Sequence, residues 1–238
     1  MTADASLIPM TAVAIRELLE KGYITPLDLL DTLEARISEV EPAVNALPTL
    51  CFDRARKKAA ALMEKPAGDR GVLAGIPVPI KDLVEVEGVR TTRGSPIFAD
   101  TVPDKSDLLV EHLEGQGGVV YAKSNTPEFG AGANTFNEVF GRTLNPWNTS
   151  RSAAGSSGGA AVSLATGTAW LAHGSDLGGS LRNPASFNGI VGMRPSPGRC
   201  AATPGVPIDQ TMGVEGPMAR NVEDLALLFD AMVGEEPG

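Results

Sequence analysis

An α/β fold with a mixed sheet between helices is what this sequence predicts, and two observations carry the prediction. Strand-like and helix-like segments alternate from Gly75 onward, and glycines gather among Ala, Val, Leu and Trp between Gly141 and Gly198, a texture of buried, tightly turned backbone rather than of a solvated linker. The 238 residues, 42% of them apolar, suffice for a substantial core.

Residues 1–70 read as a mainly helical segment of the same domain. Thr25-Pro26-Leu27-Asp28 supplies an N-cap, a proline at the first helical position and an acid at the third. Leu29, Leu33, Ile37 and Val40 then recur at spacings of four and three, placing one apolar stripe on a helix that Pro42 should end. The Ala-rich stretch Asp53 to Met63 continues the helical pattern. At Gly75 the texture changes: Gly-Ile-Pro-Val-Pro-Ile-Lys is short and apolar, and its two prolines forbid a regular central ladder, so it is extended or at an edge, with Lys81 at its end. Ser106 is expected to cap a helix reaching about Gln116, and Val119 to Ala122 to form a buried strand. A second unit follows, with a small-residue helix from Ser157 to Ala165 and a strand from Ala169 to His173. Asn221 caps the last helix, with Leu225, Leu228 and Phe229 on one face and Gly234 as its stop.

Composition removes several classes of function. A net charge of -9 without clustered Lys and Arg argues against a nucleic-acid partner. The first residues, MTADASLIPM, lack a basic and apolar leader, and no stretch approaches the roughly 20 apolar residues of a membrane span, so the expectation is a soluble cytoplasmic protein without a membrane partner. Cys51 and Cys200 lack CxxC spacing and suggest neither a disulfide framework nor a zinc site.

Two clusters could carry chemistry: Gly155-Ser156-Ser157-Gly158-Gly159 opening a helix, and Asp176-Leu177-Gly178-Gly179-Ser180-Leu181-Arg182 following a strand. Successive N–H groups at such turns converge on negative charge, as a phosphate or an oxyanion would present. Neither cluster supplies the Lys of a phosphate-binding G-x-x-x-x-G-K-[ST] loop. The first does satisfy G-x-S-x-G, with Ser157 as nucleophile, but the hydrolase fold that uses this elbow needs an acid and then a histidine downstream, whereas His173 precedes Asp176 and His112 lies upstream. Both histidines read as ordinary packed or surface residues. A serine without histidine still needs a base, and a lysine serves if it is neutral when it acts. Lys81 is the best placed, because the apolar run Ile76 to Ile80 can bury it and burial penalises the charged form.

Taken in order, Gly75-Ile76-Pro77-Val78-Pro79-Ile80-Lys81-Asp82, Ser124-Asn125-Thr126-Pro127-Glu128-Phe129-Gly130, Asn145-Pro146-Trp147, Gly155-Ser156-Ser157-Gly158-Gly159 and Gly174 to Arg182 resemble the amidase signature family from about Thr11 to the final helix. The resemblance implies one amidase signature domain, with residues 1–238 as its N-terminal portion carrying the catalytic motifs. It implies a Ser-Ser-Lys triad in which Ser180 forms the acyl-enzyme, Ser156 relays a proton after a cis peptide, and Lys81 is the base. Backbone N–H groups of Leu177, Gly178, Gly179 and Ser180 would form the oxyanion hole, and Ser157, Asp176 and Arg182 would support the site. No metal or organic cofactor is implied. Ser152-Ala153-Ala154 departs from the Pro-Gly-Gly of many members while keeping small side chains.

The activity implied is hydrolysis of a small-molecule amide to a carboxylate and ammonia or an amine. The alternatives are a glutaminase subunit of a tRNA-dependent amidotransferase, from which Leu177 in place of threonine inclines away, and an inactive half-chain serving as an assembly or binding module. Because the family fold is about twice this length, a chain ending at Glu235-Glu236-Pro237-Gly238 is expected to need a complementary C-terminal chain or a homo-oligomer to cover its apolar surface.

Overall fold

Helix start signals in the first third act as written. The computed structural model describes residues 3–201 and 212–234; the terminal Glu235-Glu236-Pro237-Gly238 lies outside these described residues. Helix α1 spans Ala12–Glu20 behind the Thr11 cap, whose side chain accepts from the Ala14 N–H. Helix α2 spans Pro26–Val44 and opens with a reciprocal capping box between Thr25 and Asp28. Its stripe of Leu29, Leu33 and Ile37 is buried, while Val40 is partly buried. Pro42 does not end it. The helix continues through that residue to close at Asn45 in the left-handed conformation (φ 51°), because a proline in the last turn removes one N–H without disturbing the turns before it. The Glu41 carboxylate then accepts from the N–H groups of Ala46 and Leu47, at 2.8 and 3.0 Å, and turns the chain into strand β1, Thr49–Leu50.

Helix α3, Phe52–Met63, packs on α2 and on the sheet that follows. In that sheet β2, Pro77–Lys81, runs parallel to β3, Val119–Ser124, and β1 joins the other side of β3 antiparallel. The β2–β3 register slips between Val78 and Ile80, the position of Pro79, which has no N–H to offer a ladder. Helix α4, Leu108–Gly115, is the crossover between the two parallel strands. Its cap is Asp107 rather than Ser106: the carboxylate accepts from the Leu109 N–H, and Ser106 Oγ instead accepts from the N–H of Glu87.

A small hairpin of β4, Phe136–Asn137, and β5, Gly141–Arg142, leads to α5, Gly158–Ala165. Strand β6 spans Leu171–Asp176, two residues later than the sequence pattern placed its start, because Trp170 turns inward, its indole N–H donating to Leu7 O. Helix α6, Arg182–Asn188, β7, Val191–Gly192, β8, Val214–Ala219, and α7, Val222–Met232, complete the described chain. Strand β8 lies between β6 and β7, antiparallel to both. Asn221 caps α7 through the Asp224 N–H, and Asp224 also accepts from the Val13 N–H, tying α7 to α1. The helix stops where Val233, its C-cap, turns extended and bridges to Cys200, which leaves Gly234, the expected stop, immediately past the cap.

The architecture is therefore a mixed α/β layer of helices and small sheets. Among the described residues it contains two three-stranded sheets beside the β4–β5 hairpin, because β6 packs beside β2 without a ladder between them. Helix α5 packs on β2, β3, β6 and β8, and so sits at this seam. Only small residues fit there: a Cβ on Gly159 would stand 2.3 Å from the Asn125 nitrogen and 2.5 Å from Ala46 O. No helix among the described residues is long and apolar enough to cross a membrane. Gly159→Ala is expected to lower unfolding free energy by about 1–3 kcal/mol in denaturant titration, since backbone on both sides of the seam must move.

Candidate active site

The end of β2 and the turn before α5 meet beside β6, and their polar residues converge there. Lys81 is completely buried. Its Nζ lies 2.7 Å from Ser156 Oγ, 3.0 Å from Ser157 Oγ and 2.9 Å from Ser175 Oγ. Burial lowers its pKa to about 8, against the opposing pull of Glu215 and Asp176. A neutral amine offers two N–H donors and one lone pair. Ser157 Oγ donates to Ser175 O at 3.2 Å and so meets the amine as an acceptor, which leaves Ser156 or Ser175 to donate to the lone pair. Ser156 makes the shortest of the three contacts, is itself buried, and follows a cis Gly155–Ser156 peptide.

Ser157 is fully enclosed. Its Oγ also accepts from the Ser175 N–H at 3.2 Å, and its backbone N–H donates to Ser180 O at 3.3 Å. This last bond ties the serine turn to the loop after β6. Ser180 is half-buried, and its hydroxyl has no hydrogen-bond partner among the described residues.

In that loop Asp176 is buried and organises the backbone. It accepts from the N–H groups of Gly179 (2.7 Å) and Leu181 (3.2 Å), and Arg182 forks onto both of its oxygens at 2.9 and 3.0 Å. Arg194 also donates to Asp176, at its backbone carbonyl and at Oδ1. Burial alone would raise this carboxyl, but the bonds from Arg182, Gly179 and Leu181 outweigh it and hold the group well below the usual carboxylate range. One part of the expected oxyanion set is corrected here: the Gly179 N–H is engaged by Asp176. The N–H groups of Leu177, Gly178 and Ser180 have no acceptor among the described residues.

Sequence reasoning missed three participants. Ser175 stands on the same face of β6 as His173 and reaches Lys81, a placement that strand alternation signals only once the strand's true bounds are known. Arg194 adds to the Asp176 cluster from a distance no local pattern reveals. His173, read as ordinary packing, is fully buried between Lys81 and Glu215. His112 lies apart, its Nε2 against Val233 O. Cys51 and Cys200 are both free, and burial pushes their thiols up to about 11 and about 12, away from nucleophilic use.

A family model described as Amidase matches residues 28–238. A glutamyl-tRNA(Gln) amidotransferase subunit from Roseiflexus sp. (strain RS-1) is 41% identical over 229 residues, which is 96% of this chain and 47% of that protein. Among solved structures, a peptide amidase from Stenotrophomonas maltophilia superposes with a TM-score of 0.90 at 31% identity, covering 98% of this chain and 50% of the other. A 6-aminohexanoate cyclic dimer hydrolase gives 0.89 at 34%, covering 97% and 48%. The chain spans about half the length of the curated relatives it matches.

Asp176→Asn is expected to weaken the contacts to Arg182 and Arg194 and to set an amide N–H against one of the donors that converge there, lowering the midpoint of denaturant titration.

Proposed function

This chain belongs to the amidase signature family, and we propose from that premise that it carries the catalytic half of an amidase, residues 1–238 forming the N-terminal portion of one signature domain that acts in the cytoplasm. The observation that carries the proposal is the completely buried Lys81, whose amine sits 2.7 Å from Ser156 Oγ at the base of a turn tied to the Ser180 loop.

In this proposal Ser180 is the nucleophile. Neutral Lys81 takes the proton of Ser156, Ser156 takes that of Ser180, and Ser180 Oγ bonds to the carbonyl carbon of the amide. The carbonyl π electrons move to oxygen, where the unengaged N–H groups of Leu177, Gly178 and Ser180 receive the charge, each donor contributing about 3 kcal/mol in comparable sites. Collapse expels the amine, which collects a proton through Ser156 from Lys81. Water then cleaves the acyl-enzyme by the same route in reverse, giving the carboxylate. Ser157 and Ser175 hold the amine in place, and Asp176 with Arg182 fixes the loop backbone.

The substrate proposed is a small carboxylic amide, in keeping with the peptide amidase and cyclic dimer hydrolase folds that this chain matches. A second reading, glutamine hydrolysis feeding an amidotransferase, draws on the curated relatives' name, and Leu177 in the loop inclines against it. In either reading the other wall of the pocket would come from outside these residues, whether from a further segment, a complementary chain or a homo-oligomer, since the chain spans about half the length of its curated relatives. Turnover of glutamine, aliphatic amides and aryl amides by the purified chain, with and without a C-terminal partner, discriminates them: glutaminase activity alone would favour the second, and none under any condition would leave an assembly module.

A serine-directed fluorophosphonate is expected to label Ser180, read by mass spectrometry, and Ser180→Ala to abolish the adduct. Adduct on Ser157 in both proteins would overturn the assignment. Because Lys81 must be neutral to act, the labelling rate should rise with pH to a plateau with its midpoint near pH 8, the value to which burial brings Lys81. Lys81→Ala should label at least about a hundredfold more slowly while its circular dichroism is unchanged.

A further inference from the structure

At the seam between β2 and β6 the Lys81 backbone has no strand to pair with on one side, and a side chain takes the place of a ladder. The Lys81 N–H donates to His173 Nδ1 at 3.2 Å, with both residues completely buried. A ring nitrogen accepts only when it carries no proton, so the imidazole proton sits on Nε2, where it donates to Glu215 Oε2 at 2.6 Å. Glu215 stands on β8 directly across the antiparallel ladder from Ser175, the residue whose hydroxyl touches the Lys81 amine. The carboxylate is thus joined to the lysine twice, through the ring to its backbone and through the ladder to its amine.

We infer that His173 and Glu215 are a positioning pair for Lys81, the ring fixing the lysine's backbone in the seam and the carboxylate setting the electric field at its amine. The inference rests on the proposed role of Lys81 as base. Two opposed demands explain why such a pair is useful. Burial pushes the amine toward its neutral form, and a base whose protonated form is too unstable accepts protons poorly; a carboxylate nearby restores part of that basicity. The charged and titratable groups facing Lys81 are few. Strand β6 contributes His173 and Asp176, and β8 contributes Glu215. On β3 Lys123 is paired 3.3 Å from Asp82, the residue next to Lys81. From the turn into α5 come only the hydroxyls of Ser156 and Ser157. Of the two carboxylates that pull on the amine, Asp176 is engaged by two arginines, and Glu215 exerts the larger pull.

The test is the pH dependence of fluorophosphonate labelling at Ser180, which needs no complete substrate pocket. Glu215→Gln keeps an acceptor for His173 and removes the charge, so the midpoint of the rate should move to lower pH by about 0.5 unit or more, with the protein still folded. His173→Leu should lower the plateau rate about tenfold or more, and His173→Asn, whose Oδ1 occupies the place of Nδ1, should recover most of it. A Glu215→Gln midpoint equal to that of the wild type overturns the electrostatic half, and a Glu215→Gln protein that fails to fold would show the carboxylate to be structural, which overturns it equally. A His173→Asn plateau as low as that of His173→Leu, or a wild-type plateau in both, overturns the positioning half. Wild-type protein that fails to label, or labels without pH dependence, overturns the proposed function itself and is thereby distinguished from failure of this pair.

Discussion

Everything at the centre of this molecule follows from placing a lysine amine where no solvent reaches it. Lys81 is completely buried at the end of a strand whose prolines prevent a regular ladder, so the chain must satisfy both its backbone and its amine with side chains. Three serine hydroxyls surround the amine and a histidine ring takes the backbone N–H. Those hydroxyls can reach Nζ only if α5 and β6 come close to β2. That closeness is what restricts the start of α5 to glycine and alanine and makes a Cβ at Gly174 stand 2.8 Å from Ser157 Oγ. The glycine-rich texture and the buried base are one constraint seen from two sides.

A second buried lysine shows what the first would be without that arrangement. Lys123, on the neighbouring strand, is equally enclosed and burial likewise lowers its pKa to about 8. Its Nζ, however, is ringed by acceptors: Val84 O at 2.6 Å, Thr91 Oγ1 at 2.8 Å and the Asp82 carboxylate at 3.3 Å. Asp82 is itself fixed by the N–H and hydroxyl of Thr92. A carbonyl and a carboxylate cannot donate to an amine lone pair, and the Thr91 hydroxyl already donates to Val89 O at 3.1 Å, so this setting favours the ammonium and uses it to pin the segment from Asp82 to Thr92. Hydroxyls can donate, so the setting of Lys81 accommodates the neutral form. The difference between a structural lysine and a proposed base lies in the chemistry of the neighbours rather than in depth of burial.

Much of this was legible beforehand where the controlling signal is local. The Thr25 box and the Asn221 cap involve residues three apart, and both formed as the sequence indicated. Local signals misled where two residues competed for one position. Asp107 displaced Ser106 as a cap because the hydroxyl found a partner across the loop at Glu87, and Asn45 rather than Pro42 closed α2 because one missing N–H in a final turn disturbs little. The role of His173 was invisible for a different reason. Its partners are Lys81, 92 residues away, and Glu215, 42 residues away, and only the packing of β6 between β2 and β8 brings them together. The Gly179 N–H, expected to face an oxyanion, was likewise claimed by a side chain whose reach depends on how the loop turns.

Depth also orders the three residues proposed for proton transfer. Lys81 is wholly enclosed, Ser156 is 3% exposed, and Ser180 is half-buried at the rim of the loop. A base kept neutral by burial cannot also meet a substrate arriving from solvent, because opening its surroundings to water would restore the charged form. A nucleophile must meet that substrate. The two requirements are incompatible at one position and call for a group between them that donates and accepts in the same step, which among uncharged side chains a hydroxyl does most compactly. On this argument the intermediate serine is the physical consequence of choosing an amine as base. A histidine base, with an ordinary pKa already near neutrality, needs no such depth and can stand beside its serine directly.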